Sequence, residues 1–180
     1  ASDWSSDVCS SDLIDPFLQV NHPRSPKTGY FGIMNLDRGR TRDARFSEGF
    51  DGVEIITFGR HDETDAQLVD WFWMLRRGRR FTATGTSDSH AISHRPVGWP
   101  RTFVCVENDS PPRLDLAEFT ASLKRGCATV SAGPFVTIRS GTHRMGELVP
   151  AEGGSIDVEV EVQAPSWIGT DRLVLYVDGE

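Results

Sequence analysis

Short apolar runs separated by turn residues punctuate the first half of the chain. Phe17 to Val20, Phe50 to Ile56 and Phe81 to Thr84 are each bounded by polar or glycine-rich stretches and predict strands. Between the second and third runs, Leu68, Trp71, Phe72 and Leu75 recur at helical spacing. Thr64 with Gln67 three residues on makes a capping-box signal ahead of them, and Gly78 sits at a plausible C′ position. A second helix is signalled by Asp115 with Glu118, by Leu116, Phe119 and Leu123 on one face, and by Gly126 at its end. Cys127 to Val130 would return as a strand before Gly133-Pro134 breaks the pattern. Strands alternating with helices predict an α/β unit.

Beyond about Phe135 the period changes to two. Ile156, Val158, Val160 and Val162 alternate with Asp157, Glu159 and Glu161, which predicts a strand with one solvated acidic face. Leu173, Leu175 and Val177 repeat the alternation before Asp178-Gly179. With the glycine-rich connection at 153–154, these strands are expected to open a β-sandwich whose next strand would follow the final turn.

Candidate chemistry clusters at the ends of the apolar runs. Gly85-Thr86-Ser87-Asp88-Ser89-His90 follows the third run and sets a carboxylate and an imidazole two residues apart, so in extended geometry both face one side. His22 follows the first run and precedes Pro23, and Glu54 lies within the second. Sites in α/β folds form at the carboxyl ends of parallel strands, where these residues would converge. Oxygen and imidazole nitrogen donors suit divalent Zn, Mn or Fe, which can generate hydroxide from water near neutral pH. The competing readings are turn and cap roles for Asp88 and His90, and for Glu54 a salt bridge or a backbone contact.

The succession N-H-P-R, G-V-E-I, W-F-W-M-L-R-R-G-R-R-F-T-A-T-G-T-S-D-S-H, V-G-W-P-R-T-F-V and L-K-R-G-C-A-T-V-S-A-G-P-F-V spans about Val20 to Val136. It resembles the carboxyl half of the catalytic domain in PHP-superfamily metal-dependent hydrolases, and more narrowly the CehA/McbA-type branch. The resemblance implies the C-terminal part of a distorted (β/α)7 barrel whose strand ends bind two or three divalent metals, with a β-sandwich appended. It implies hydrolysis of a phosphoester, or of an amide or carbamate ester, by metal-bound hydroxide. Carried over by motif, His22, Asp88 and His90 would be metal ligands, with Glu54 a fourth whose position departs from the family's acidic bridging ligand. Arg24 and Arg101 are candidates for binding an anionic substrate group, or else structural ion-pair partners. His94 could donate a proton to the leaving group, its alternative being an exposed loop residue beside Pro96.

The family's H-x-H pair does not occur, and His61, His94 and His143 do not replace it by spacing. The expectation is therefore a fragment lacking the first barrel strands and inactive by itself. Residues 1 to 13, with Ser-Ser-Asp at 5–7 and again at 10–12, resemble a translated sequencing adapter. The alternative is a Ser/Asp-rich linker. The expected organisation is 1–13 outside the fold, 14–134 the partial barrel and 135–180 the partial sandwich.

Composition narrows the partners. The net charge of −7, of which Asp3, Asp7 and Asp12 contribute three, argues against a nucleic-acid-coating role. A small-molecule substrate, possibly anionic, is the expected partner. No apolar run approaches the roughly 20 residues of a membrane span, and cellular address is left open. Cys105 and Cys127 form no C-x-x-C and are expected to be small buried apolar residues. The basic cluster Arg76, Arg77, Arg79 and Arg80 is expected to complement a helix C-terminus, or else to attract an anionic substrate. Neither a G-x-S-x-G elbow nor a GxGxxG fingerprint is present. The competing class is a non-catalytic remnant whose β region binds carbohydrate or a protein partner.

Overall fold

The structure, a computed structural model, describes residues 15–58, 61–94 and 96–180, with backbone alone at 61 and 62. Residues 1 to 13 lie outside the described residues. The three early apolar runs form a parallel sheet in the order β1 (Gln19–Val20), β2 (Gly52–Thr57), β3 (Thr82–Thr86). Between β1 and β2 comes the short helix α1 (Tyr30–Ile33), and between β2 and β3 the long helix α2 (His61–Arg76). The chain continues through β4 (Arg101–Val104), α3 (Leu116–Arg125), β5 (Ala128–Ser131), β6 (Phe135–Arg139) and β7 (Glu159–Gln163). β4 pairs antiparallel with β5, and β6 with β7.

The fold is mixed α/β, and its described strands do not close into a barrel. The ladder stops at β3 because β4 meets it through a side chain. Gly85 donates its N–H to Thr102 Oγ1 at 2.9 Å, and that hydroxyl donates to Gly85 O at 3.0 Å. Val130 of β5 fills the space a side chain at Gly85 would need, its Cγ1 standing 2.5 Å from an ideal Cβ.

α2 begins three residues before Thr64, so the expected capping box falls inside the helix and Gln67 is fully buried. Its C-terminus is as expected. Gly78 takes φ 77°, its N–H reaches Leu75 O at 2.8 Å and Arg79 N–H reaches Met74 O at 3.0 Å, the paired bonds of a Schellman motif. The buried face of α2 is Gln67, Asp70 and Met74, one step round from the expected Leu68, Trp71, Phe72 and Leu75, which are only half-buried. Met74 joins Phe31, Leu36, Val53 and Phe81 in the core, with Trp71 at its margin donating Nε1–H to Phe81 O at 2.7 Å.

α3 matches its signals. The Asp115 carboxylate accepts from Ala117 N at 2.8 Å and Glu118 N at 3.2 Å, and Gly126 closes the helix at φ 80°. Leu116, expected on the apolar face, is exposed. Cys105 and Cys127, expected as small buried apolar residues, are joined in a disulfide with Cα atoms 5.5 Å apart. The β4–β5 pairing brings them together across 22 residues of sequence, beyond the reach of any local pattern.

The C-terminal β region is thinner than expected. Only Glu159–Gln163 of the first alternating run pairs, with Phe135–Arg139, and Leu173 to Val177 forms no strand. Ile156, Val158, Leu173, Leu175 and Val177 are exposed, since no second sheet among the described residues covers the alternating face.

Gly85→Ala should destabilise the protein by about 1–3 kcal/mol, the range for overpacking. Urea unfolding should show Val130→Ala relieving most of that loss in the double variant, because the two positions share one space.

Candidate functional site

The parallel sheet delivers His22, Glu54, Asp88 and His90 to one end. His22 lies just beyond β1, Glu54 inside β2, and Asp88 and His90 just beyond β3. His22 (φ 47°) and Asp88 (φ 45°) occupy the left-handed region, where His and Asp are enriched among non-glycine residues. Each turns the backbone at its strand end. The turn after β1 packs closely on α1: a Cβ on Gly29 would stand 2.4 Å from Ser25 N and 2.6 Å from Pro23 O.

Glu54 is fully buried and anchors the set. Its Oε2 accepts the His22 backbone N–H at 2.6 Å, and its Oε1 accepts the Thr86 hydroxyl. The His22 ring stands beside the same carboxylate, Nδ1 lying 2.7 Å from Oε2 but out of line for a hydrogen bond. On its other side, His22 Nε2 is 3.5 Å from Asp88 Oδ1, which is itself 2.6 Å from His90 Nε2. Contacts therefore run Glu54, His22, Asp88, His90, from a buried carboxylate to an imidazole that is 76% exposed.

Two imidazoles and two carboxylates are the donor set of borderline divalent ions. The buried His22 Nδ1 without an aligned partner fits such a set, as does a buried Glu54 whose described ion-pair partner is a histidine rather than Lys or Arg. Among the described residues no three His, Cys, Asp or Glu side chains already form a ready-made metal site; the four stand as linked pairs.

The other candidates lie elsewhere. Arg24 forms a two-point pair with Asp70 of α2, Nε to Oδ2 at 2.6 Å and Nη2 to Oδ1 at 2.8 Å, and also donates to Leu36 O at 2.6 Å. Of its two readings, the structural ion pair is the one formed. Arg101 is exposed at the start of β4 with its guanidinium 5.6 Å from the centre of the Phe103 ring. His94 is exposed in the turn beyond β3.

Sequence reading missed Thr86 and Asp70. Thr86 had a usable signal, since Thr84, Thr86 and Asp88 are spaced by two along the strand and its end. Asp70 had none, because its partner is 46 residues away. Burial pushes the Asp70 carboxyl above its ordinary value, and the hydrogen-bonded Arg24 guanidinium pulls it back only in part.

No protein family, curated protein or solved structure matches the chain.

Because Asp70 has a folded-state pKa above its unfolded value, folding favours its protonated form. That contribution is fully present below the unfolded pKa and is lost as pH rises through the folded one. Arg24→Ala should raise the folded pKa further and cost about 3 kcal/mol at neutral pH, by stranding a buried carboxylate. Urea titrations should show the deficit shrinking as pH falls through the raised pKa toward the usual carboxylate range. A deficit independent of pH would contradict the assignment.

Proposed function

We propose that the chain is part of a metal-dependent hydrolase of the PHP type, with His22, Glu54, Asp88 and His90 contributing to a divalent-metal site. In this reading β1 to β3 with α2 form one segment of a distorted (β/α)7 barrel, and β6–β7 belongs to an appended β-sandwich. The convergence of those four side chains at the carboxyl end of parallel strands carries the proposal, because each comes from a different strand or strand end apart from the Asp88/His90 pair.

Each residue has a separate task. Glu54 holds the His22 backbone and the Thr86 hydroxyl, which keeps the ends of β1 and β3 in register around the site. His22 and Asp88 present the inner donors, and exposed His90 faces the side from which substrate approaches. A divalent ion bound there supplies Lewis-acid polarisation of a phosphoryl or acyl oxygen and lowers the pKa of water. Arg101, exposed and charged, is the guanidinium available for an anionic substrate group, since Arg24 is committed to Asp70.

Equilibrium dialysis of the 180-residue chain against Zn, Mn and Fe(II) measures the site directly. Uptake should weaken about tenfold or more in His90→Ala, a change of about 1.4 kcal/mol or more, and further in His22→Ala/Asp88→Ala. Absence of uptake by the unsubstituted chain, or uptake unchanged in the double variant, would refute the proposal. Aryl phosphate and aryl carbamate esters, offered to a protein that also carries an H-x-H pair, would then separate the two substrate classes.

A further inference from the structure

The geometry points to a second site, for a small ligand bearing a diphosphate or comparably dense anionic group, at the far end of α2. The inference is independent of the metal proposal. Because β2 and β3 are parallel, α2 must run back from the carboxyl ends of the strands to their amino ends. Trp73 lies twelve residues into that helix, roughly 18 Å from its start at 1.5 Å per residue.

Around Trp73 the segment 35–42 folds into a cavity of about 620 Å³, within the range of small-molecule sites. Arg38, Arg40 and Arg42 line it, with Asp37 as the carboxylate on the wall. The Arg38 guanidinium carbon lies 5.7 Å from the centre of the Trp73 ring and that of Arg76 4.9 Å. One indole therefore gathers two like charges; Arg76 is offset by Glu180 at 3.4 Å, which leaves Arg38 as the one a bound anion would relieve. None of Arg38, Arg40 and Arg42 forms an ion pair with a described residue, although the net charge is −7 and carboxylates outnumber cations. The neighbouring cations are otherwise engaged, Arg77 and Arg79 with Glu48.

The wall is fixed before any ligand arrives. Asp37 and Arg40 exchange backbone hydrogen bonds of 2.7 and 3.0 Å, and Gly39, at φ 67°, packs so tightly that an added Cβ would lie 3.2 Å from Met74. Arg77 donates to Gly39 O, tying the loop to the end of α2. Three guanidiniums on a braced loop, none in an ion pair with a described residue, favour an anion that takes two-point contacts, and phosphate is the group they match.

Calorimetric titration of chelator-treated protein with inorganic pyrophosphate tests the site. Saturable binding is expected, weakened about tenfold or more, about 1.4 kcal/mol, in Arg38→Ala/Arg40→Ala. It should be unchanged in Arg139→Ala, which removes an exposed arginine paired with Glu159 elsewhere. Circular dichroism of the variants checks that the fold is retained, and Arg38→Glu/Arg40→Glu, with both charges reversed, should abolish binding. Absence of saturable binding, equal binding in the Arg38/Arg40 variants, or loss of binding in His22→Ala/Asp88→Ala would overturn the assignment.

Discussion

A buried carboxylate holds the functional end of this fold together. Moving Glu54 out of water costs several kcal/mol unless its oxygens are matched by donors. The donors it uses, the His22 backbone N–H just beyond β1 and the Thr86 hydroxyl at the end of β3, come from either side of its own strand. Hydrogen bonds to a charged group are worth about 1.5–3 kcal/mol each, so satisfying Glu54 also fixes where β1 and β3 end. The positions of His22 and Asp88 follow from that constraint. A structural necessity of the sheet thus sets the spacing of the candidate ligands.

α2 connects this end to the rest of the molecule. Its buried face carries Asp70, matched by Arg24, beside Met74 and Gln67, whose amide finds no hydrogen-bond partner among the described residues, so one ion pair as well as apolar packing seats the helix on the sheet. The Arg24–Asp70 pair lies two residues from His22 and links the turn after β1 to the middle of α2. Farther along, Trp73 and the C-terminal arginines meet the braced segment 35–42. One helix therefore stands between two regions of opposite chemistry, a carboxylate and imidazole cluster near its start and a guanidinium-lined cavity near its end.

The elements most legible in the sequence are those governed by local chemistry. The α3 cap at Asp115, the glycine terminations at Gly78 and Gly126, and the three early apolar runs all form where local pattern places them, though β1 shrinks to two paired residues. Less legible are features that depend on what lies opposite. The alternating run 173–177 has the period of a strand but forms no ladder, since a strand needs a paired neighbour as well as a pattern. The face of α2 is displaced because Asp70 has a distant arginine to meet, and pairing outweighed the aromatic stripe.

The sequence by itself determined which short runs become strands, where two helices stop, and which carboxylates and imidazoles fall beside strand ends, because turn and cap preferences act over a few residues. Only the tertiary structure decided that Glu54 faces His22 and Thr86, that Arg24 belongs to Asp70, that Cys105 pairs with Cys127, and that Arg38, Arg40 and Arg42 line one cavity with Trp73. Those choices join residues across 22 to 46 positions, or gather a loop onto a helix, and depend on strand order and helix direction, which no local pattern encodes.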